Sequence, residues 1–358
     1  MSGKPFLVRA PGRVCLFGEH SDYLGLDVIA AAIDLEIEIM ATPLEEDTIH
    51  IMYPNIREYD EFSLDLEIEY RNNRDYIRSS FNVMARKGFR PKHGWSLLIS
   101  GNIPIAAGLS SSSAMTVASV MAIAEMAGSA MPKEEVALTA YESEVVEFGE
   151  SGGTMDHFAS VMGGVIHVNM GTQEITPLPA QLDSFVIGNS GEKKDTVGDL
   201  RFIRTTVERE YEEIAKRISS FDRRTTPTNL VYELSQGTPS RERRMAEATL
   251  RNRDLTNRAF ELLKDVNPDP VLVGNMIHEH HEILRDDLER STPKIESLID
   301  AALSAGAVGC KINGSGGGGS MMAYTAGQNT IVASAIENAG ATAHIVKVGE
   351  GAILSRVE

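Results

Sequence analysis

"PIAAGLSSSSA", residues 104–114, lies directly ahead of a run of Ala, Met, Val and Ile that lasts for about four helical turns. Consecutive serines weaken a helix interior because their hydroxyls compete for backbone groups, whereas at the start of a helix they cap it. Gly108 lets the backbone approach a ligand, and the free N–H groups at a helix start favour negative charge. The stretch therefore predicts a phosphate cradle, with an ordinary serine-capped loop as the alternative. The GxxxxGK(S/T) pattern of a P-loop is absent from the sequence.

The patterns on both sides of this stretch predict strands and helices in alternation. The helix after the serines should end near Gly128, since glycine is common just past a helix end. "IDLEIEIMA", residues 33–41, alternates apolar and polar residues with period two and predicts a strand. Residues 134–148 predict a second helix, and "GGVIHVNMG", residues 163–171, predicts a strand. "GAVGCKINGSGGGGSMMAY", residues 306–324, predicts a strand, a glycine loop and a second strand.

The chain of 358 residues is longer than one hydrophobic core usually supports, so we expect two domains. After Pro177, apolar residues at helical spacing predict long amphipathic helices. They are Ile203, Val207, Tyr211, Ile214 and Ile218, followed by Met245, Leu250, Leu255, Ala259 and Leu262. The arginines of "RERRMAEATLRNR", residues 241–253, are expected on a solvated helix face. A boundary within residues 171–182 gives an N-terminal domain of residues 1–175 and a C-terminal domain of residues 176–358, packed around a shared cleft.

Composition narrows the class of protein. The formal net charge of −17 argues against nucleic acid as a general partner, because phosphate binding needs a concentrated positive surface. Two cysteines, Cys15 and Cys310, are too few for a disulfide framework and indicate a reducing compartment. No run approaches the roughly 18 apolar residues that span a bilayer, and residues 1–10 lack the apolar segment of a signal peptide. We therefore expect a soluble, cytoplasmic monomer or small homo-oligomer without a membrane partner.

Three more stretches carry residue types suited to chemistry. "APGRVCLFGEHSDYLG", residues 10–25, concentrates charge on a connection between two strands, and its charged residues are Arg13, Glu19, His20 and Asp22. "GESGGTMD", residues 149–156, places Asp156 behind paired glycines, where a turn or helix-cap role is the alternative. Glu144, on the predicted helix before it, is either a site residue or a solvated face residue. "NGSGGGGS", residues 313–320, has too many glycines for a strand interior, and a flexible hairpin is its simplest alternative.

Together these stretches resemble the galactokinase, homoserine kinase, mevalonate kinase and phosphomevalonate kinase (GHMP) superfamily, with galactokinase as the most similar branch. "GRVCLFGEHSDYLG" is similar to the galactokinase signature and "GLSSSSAMTVA" to the phosphate motif. "SGGTMDHFAS" is similar to the catalytic motif, and "GAVGCKINGSGGGGS" to the C-terminal glycine motif. "HHEILRDDLERSTPKIESL" resembles the segment before that last motif. The five stretches follow the family order over roughly residues 8–320.

The resemblance implies an α+β fold with two domains. The N-terminal domain would be ribosomal-S5-like, with a left-handed βαβ unit, and the C-terminal domain would be an α/β sandwich. The implied activity is a Mg²⁺-dependent transfer of the γ-phosphate of ATP to the anomeric C1 hydroxyl of galactose or a related aldose. ATP, Mg²⁺ and the sugar would meet in the cleft between the domains.

The same resemblance implies a role for each site residue. Asp156 would be the catalytic carboxylate, and Arg13 the cation beside it. The groups that hold the sugar hydroxyls would be Glu19, His20, Asp22 and the backbone of Gly153. The residues that cradle the triphosphate would be Gly108, Leu109, Ser110, Ser111, Ser112 and Ser113, and the Mg²⁺ ligands would be Ser112 and Glu144. Two mechanisms stay open: Asp156 acts as a base oriented by Arg13, or it positions the hydroxyl while Arg13 stabilises the transferring phosphoryl group.

The sequence departs from the galactokinase pattern where the substrate would be decided. Cys15 stands where galactokinases usually carry asparagine, Leu24 and Leu26 replace polar or small residues, Leu200 is the nearest match to a sugar-contacting tyrosine, and Gly317 replaces an aromatic residue. The alternatives are therefore a kinase for another sugar derivative or for mevalonate, and a galactokinase-like sensor that binds sugar and ATP without turnover. The retained arginine and aspartate argue against the sensor.

Overall fold

The computed structural model describes residues 3–104, 107–193, 196–234 and 238–357. Within these ranges the chain forms twelve strands: β1 (Phe6–Phe17), β2 (Val28–Pro43), β3 (Thr48–Tyr53), β4 (Glu58–Ser63), β5 (Trp95–Gly101), β6 (Val165–Asn169), β7 (Glu174–Leu178), β8 (Phe185–Asn189), β9 (Gly309–Asn313), β10 (Ser320–Tyr324), β11 (Thr342–Val346) and β12 (Ile353–Arg356). The same ranges hold ten α-helices: α1 (Tyr76–Arg86), α2 (Ser111–Met126), α3 (Lys133–Tyr141), α4 (Met155–Met162), α5 (Thr196–Arg217), α6 (Thr228–Tyr232), α7 (Arg241–Leu262), α8 (Pro270–Glu282), α9 (Pro293–Ser304) and α10 (Asn329–Asn338).

The larger sheet has eight strands. Two of them, β1 and β2, are joined by the loop of residues 18–27, which lies at the candidate site. Its main path runs β12-β1-β2-β5-β3-β4, and β6 and β7 branch from β2. This branching is possible because β2 is long: its first half pairs with β6 and its second half with β5. The predicted strands are confirmed: residues 33–41 are part of β2, and residues 163–171 contain β6.

Helix α2 is packed between the larger sheet and helices α1, α3 and α4. Most of its residues are buried, which suits a helix that is rich in small and apolar residues on every side. The predicted helix after the serines is therefore confirmed. It ends at Met126, and Gly128 follows with a φ of 75°, a left-handed conformation that favours glycine. The second predicted helix is α3, which continues as a π-helical turn over Glu142–Val146.

The smaller sheet has four antiparallel strands in the order β11-β8-β10-β9. Strands β9 and β10 confirm the predicted strand, glycine loop and strand near the end of the sequence. Helices α8 and α9 pack on β9, and the predicted amphipathic helices are α5 and α7, which pack on each other. None of the helices in the described ranges combines the length and apolar content that crossing a membrane requires.

The two halves of the chain share the larger sheet. β7 pairs with β6 and spans the boundary that the sequence places at residue 175. β12 comes from the second half and pairs with β1, Phe6 lying opposite Arg356. Cutting the chain at residue 175 would therefore not separate the two sheets, and the division into residues 1–175 and 176–358 stays a prediction.

Residues 222–226, which we call the clasp, tie the second half to the loop between β1 and β2. Arg223 Nη1 donates a hydrogen bond to the carbonyl of Leu24 at 3.0 Å. Arg224 Nη1 donates to the next carbonyl, that of Gly25, at 2.7 Å. Two consecutive backbone groups of that loop are thus satisfied by side chains from the other half.

Arg253, on α7, donates hydrogen bonds that hold the clasp in place. Its Nη1 donates to the carbonyls of Arg223 and Thr226 at 2.9 and 2.8 Å. Arg253 is buried, so the prediction of a solvated helix face for residues 241–253 is wrong at this position. The clasp covers the side chain of Arg253. The spacing of residues along α7 does not reveal this, because the clasp is a separate segment of the chain.

Candidate active site

A cleft of about 630 Å³ lies between three loops. They are the opening loop (residues 18–27, between β1 and β2), the segment at the start of α2, and the glycine loop between β9 and β10. All of the predicted site residues line this cleft: Arg13, Glu19, His20, Asp22, Gly108, Leu109, Ser110, Ser111, Ser112, Ser113, Glu144, Gly153 and Asp156. The structure therefore brings together stretches that are far apart in sequence. The ligand that each residue holds stays a prediction.

Arg13 and Asp156 form a bidentate ion pair in the cleft. Arg13 Nε donates to Asp156 Oδ1 at 2.6 Å, and Nη2 donates to Oδ2 at 2.8 Å. The remaining nitrogen, Nη1, donates to the carbonyl of Gly108 at 2.7 Å. Burial lowers the pKa of the Arg13 guanidinium, but the charges of Asp156 and Glu19 and the hydrogen bonds to Asp156 together outweigh burial and raise this pKa overall. The paired contacts fix both the position and the plane of the carboxylate.

Asp156 is held as an anion with part of its side chain open to the cleft. Ser110 Oγ donates to Asp156 Oδ2 at 2.6 Å. Burial raises the pKa of Asp156, but the charge of Arg13 and the hydrogen bonds from Arg13 and Ser110 outweigh burial and lower it below its ordinary value. A quarter of the side chain is exposed. The carboxylate can therefore accept a hydrogen bond from a bound hydroxyl, although a low pKa makes it a weak base.

The segment before α2 is fixed by side chains from both halves. Ser110, the residue before the helix, has a φ of 58° and makes no side-chain capping bond. The prediction that serines cap this helix is wrong for Ser110, because its hydroxyl is bonded to Asp156 instead. The carbonyl of Gly108, where φ is 74°, accepts from Arg13 and also from Asn313 Nδ2 at 2.8 Å. The N–H groups of the first helical turn have no acceptors within the helix and suit phosphate oxygens.

Glu144 and Ser112 offer oxygen atoms to a cation. Glu144 lies on the π-helical turn after α3, and its Oε2 is 2.7 Å from His157 Nε2, which donates if it carries the proton. Burial raises the pKa of Glu144, but His157 and the hydroxyls of Ser112 and Ser113 outweigh burial and lower it. A buried, ionised carboxylate beside a serine hydroxyl is a donor set that Mg²⁺ accepts, with water and phosphate completing its shell. The residues present therefore fit the predicted Mg²⁺ role.

The opening loop is anchored to β9 through Glu19, and His20 makes a contact within the loop. Glu19 Oε2 accepts from Lys311 Nζ at 2.7 Å, and the same ammonium donates to the carbonyl of Cys15 at 2.9 Å. His20 Nδ1 lies 2.7 Å from the hydroxyl of Tyr23. Burial lowers the pKa of His20 to about 4, so its imidazole is neutral at physiological pH. His20 therefore adds no positive charge to this end of the cleft.

Asp22 lies against the backbone of Gly153. Asp22 Oδ1 accepts from the N–H of Tyr23 at 2.9 Å. A Cβ atom at position 153 would come within 2.1 Å of Asp22 Oδ2, so only glycine fits there. Burial and, to a smaller extent, the charge of Asp156 raise the pKa of Asp22 to about 7. The loop before α4 and the opening loop thus meet at Asp22. Its raised pKa means that ionisation of this carboxyl group is less favourable than usual.

Sequence reasoning missed two residues from the second half that hold the site together, Lys311 and Asn313. Both lie on β9, and all five residues of that strand are buried. A lysine and an asparagine in a short buried strand beside a glycine loop are a usable signal, because buried polar groups need partners. The sequence does not identify those partners, since they belong to the first half.

The departures from the galactokinase pattern differ in their distance from the cleft. Cys15, Leu24 and Leu26 belong to the hydrophobic core and do not line the cleft. Leu200 lines the cleft. Of these four positions, Leu200 is the one that could contact a ligand in the cleft.

Three family models match the chain. They are the GHMP kinases N terminal domain at residues 75–164, the galactokinase galactose-binding signature at residues 1–43, and the GHMP kinases C terminal model at residues 259–342. These matches confirm the resemblance and the α+β fold class that the sequence predicts.

The similar proteins include mevalonate kinases and galactokinases. The mevalonate kinase of Pyrococcus furiosus is 30% identical over 351 residues and covers 96% of each chain. The galactokinase of Haemophilus influenzae is 29% identical over 335 residues, or 88% of this chain and 84% of that protein. Among solved structures, Lactococcus lactis galactokinase complexed with galactose has a TM-score of 0.87, with 20% identity and coverage of 98% and 95%. Methanococcus jannaschii mevalonate kinase has a TM-score of 0.73, with 18% identity and coverage of 97% and 99%.

Proposed function

This chain belongs to the GHMP kinase family, and from that premise we propose that it transfers the γ-phosphate of ATP, with Mg²⁺, to the anomeric C1 hydroxyl of galactose or a related aldose. Phosphoryl transfer to a hydroxyl is supported by the kinases among its relatives, and ATP as co-substrate follows from the same relationship. The choice of a sugar is supported by the galactose-binding signature and by the charges of the cleft.

The observation that carries the choice of a sugar is the convergence of three carboxylates, Glu19, Asp22 and Asp156, on the same cleft. Two cations beside these carboxylates are already engaged: Arg13 bonds Asp156, and Lys311 bonds Glu19. Carboxylates accept hydrogen bonds, and a polyol supplies several donors without adding charge. This part of the cleft therefore favours a neutral acceptor with several hydroxyls.

Mevalonate is the second candidate, because a mevalonate kinase is 30% identical over nearly the whole chain. Mevalonate carries a carboxylate, and placing it among three others costs several kcal/mol unless a cation balances it. Arg74 lines the cleft but bonds Glu150, while Lys193 lines the cleft and is exposed. Among the described residues that line the cleft, Lys193 is thus the cation on which binding of mevalonate would depend.

In the proposed reaction, the acceptor hydroxyl attacks the γ-phosphorus in line with the leaving oxygen. Asp156 would accept a hydrogen bond from that hydroxyl and take its proton as the new O–P bond forms. Arg13 would hold the carboxylate in place, and the N–H groups at the start of α2 would hold phosphate oxygens. Bound Mg²⁺ would neutralise charge on the phosphates, with Ser112 and Glu144 as its protein ligands.

An assay of ADP release across a panel of acceptors at fixed ATP tests the proposal. The panel contains galactose, glucose, galactosamine, N-acetylgalactosamine, arabinose, fucose, galacturonate and mevalonate. We expect faster ADP release with galactose than with glucose. In an epimer one hydroxyl points away, so a hydrogen-bond acceptor of the site is left without its partner. Galacturonate is the matched control for charge, since it keeps the galactose ring and adds a carboxylate. It should fall below galactose by about tenfold or more.

Each other outcome contradicts a defined part of the proposal. If a substituted sugar gives ADP release about tenfold faster than galactose, galactose is not the preferred substrate, but the protein is still a sugar kinase. Turnover of mevalonate alone would overturn the sugar proposal. Binding of sugar and ATP without ADP release would identify a sensor.

A further inference from the structure

Lys311 makes contacts that the proposed reaction does not yet use. It lies on β9 with no exposed surface, and its ammonium bonds Glu19 Oε2 and the carbonyl of Cys15. Glu19 lines the cleft, and its Oε1 receives no hydrogen bond from the part of the chain that the structure describes. One carboxylate oxygen is therefore committed to Lys311, and the other is left for a ligand.

We propose that Lys311 is a positioning residue for the phosphoryl acceptor, which acts by orienting Glu19 so that Oε1 accepts a hydrogen bond from a substrate hydroxyl. This inference rests on the proposed function, because it takes Glu19 as a group that binds the acceptor. Lys311 itself touches neither acceptor nor phosphate in this scheme. Its effect on capture of the acceptor passes through the Glu19 carboxylate.

The surroundings of Glu19 favour this role over a purely structural one. A buried ion pair is weak evidence for stability, since apolar residues of similar volume often stabilise a fold as well or better. Asn252 Nδ2, also from the second half, donates to the backbone carbonyl of Glu19 at 2.8 Å. Side chain and backbone of one cleft residue are thus both held from the other half of the chain. Such double restraint orients an acceptor group before the ligand arrives.

The first test replaces Lys311 by methionine and measures KM and kcat for each substrate. Lys311→Met should raise KM for the acceptor by about tenfold to a hundredfold, the range expected when a hydrogen-bonding group loses its alignment. KM for ATP should change by less than about twofold, because the phosphate contacts lie elsewhere. The matched control is Lys294→Met, since Lys294 also donates to a carbonyl of the second half, that of Ala339, at 2.6 Å. It lies outside the residues that line the cleft, so it should leave both KM values unchanged. Equal rises in KM for both substrates would contradict the proposal.

A double-mutant cycle with Glu19→Gln separates orientation from general support. If Lys311 acts through Glu19, adding Lys311→Met to Glu19→Gln should change kcat/KM for the acceptor by less than about threefold. Losses that multiply would overturn the proposal, because Lys311 would then act independently of Glu19. The double variant removes both charges and should fold better than Lys311→Met alone, so the comparison with Glu19→Gln remains possible if the single lysine variant is unstable.

The two proposals fail in different ways. The acceptor panel on the parent protein decides whether the substrate is a sugar. The cycle then uses whichever acceptor the parent phosphorylates. Turnover of mevalonate alone contradicts the sugar kinase, whereas multiplicative losses in the cycle contradict the role of Lys311.

Discussion

Asp156 reaches the cleft with both carboxylate oxygens already hydrogen-bonded, Oδ1 to Arg13 and Oδ2 to Arg13 and Ser110. These contacts favour its ionised form, and the lowered pKa makes early removal of a proton from a sugar hydroxyl unfavourable. The contacts combine parts of the two mechanisms that the sequence leaves open: Arg13 orients Asp156, and Asp156 with its lowered pKa would first position the hydroxyl. Proton transfer to Asp156 would then follow, as the hydroxyl oxygen becomes acidic on bonding to phosphorus.

Replacing Asp156 by asparagine should separate turnover from nucleotide binding. Asp156→Asn keeps the shape of the side chain but removes the charge and one acceptor oxygen, so kcat should fall by about a thousandfold or more. ATP affinity should change little, because backbone groups at the start of α2 form the predicted cradle. Steady-state kinetics and calorimetric binding of ATP measure the two effects, with Asp300→Asn on the exposed side of α9 as the control. Near-normal turnover would remove Asp156 from the mechanism.

Asp22 should give acceptor capture a pH dependence near neutrality. Burial and the charge of Asp156 raise the pKa of Asp22 to about 7. As pH falls below this value, Asp22 takes up a proton and becomes a poorer acceptor for sugar hydroxyls. We expect kcat/KM for the acceptor to fall at acid pH. Asp22→Asn should remove this pH dependence and should also lower kcat/KM at every pH, because most of the acceptor capture is lost. A parent profile that stays flat between about pH 5 and pH 9 would contradict this role.

The same pKa predicts how stability changes with pH. The folded protein binds the Asp22 proton more tightly than the unfolded chain, whose Asp has a pKa near 3.8. The contribution of Asp22 to stability is therefore complete at low pH and is lost as pH rises through about 7. Asp22→Asn cannot ionise, so its gain in midpoint temperature over the parent should be greatest above pH 7 and should shrink as pH falls towards 4. Thermal unfolding of both proteins across this range without ligands makes the measurement, and a gain that grows at acid pH would contradict the assignment.

At the level of elements, α2 and the π-helical turn after α3 bring Ser112 and Glu144 together. Ser112→Ala and Glu144→Gln should each raise the Mg²⁺ concentration needed for half-maximal rate by about tenfold, because each removes a hard oxygen ligand. Ser119→Ala is the control, since Ser119 is on the same helix and its hydroxyl bonds the carbonyl of Met115. Titration of Mg²⁺ at fixed ATP makes the comparison. If both variants follow the parent curve, the predicted metal ligands are wrong.

Elements with a strong local pattern could be predicted from the sequence. The period-two alternation within β2 and the small apolar residues of α2 each indicate the correct element, because backbone periodicity is set by neighbours along the chain. The glycine loop after β9 is predicted for the same reason, and the residues predicted for the site line one cleft.

The contacts that join distant segments could not be predicted in this way. Ser110 was expected to cap its own helix, but its hydroxyl bonds a residue 46 positions away. Lys311 and its partner Glu19 are 292 positions apart, and the alternation of a strand shows that a side chain is buried without showing what it meets. Arg253 was expected in solvent because spacing along α7 contains no trace of the clasp that covers it.

For the whole molecule, the clasp connects stability with the shape of the opening loop. Arg253→Met should lower the free energy of unfolding by about 2–4 kcal/mol, because it leaves buried carbonyls of the clasp without a donor. Arg258→Met is the control from the same helix, since its exposed ion pair with Glu279 should contribute less than about 1 kcal/mol. Denaturant unfolding compares the two variants. Arg253→Met should also raise KM for the acceptor, and equal stability of both variants would contradict the role of the clasp.

Strand β12 covers the edge of β1, although every other strand of the larger sheet lies within residues 6–178. A ribosome therefore completes β1, with Arg13 on it, long before it makes the strand that pairs with Phe6 and its neighbours. Until residues 353–356 emerge, the nascent chain carries an unpaired strand edge, which is a template for pairing with other chains. Translation that stalls before residue 353 would thus release a polypeptide that is prone to aggregate.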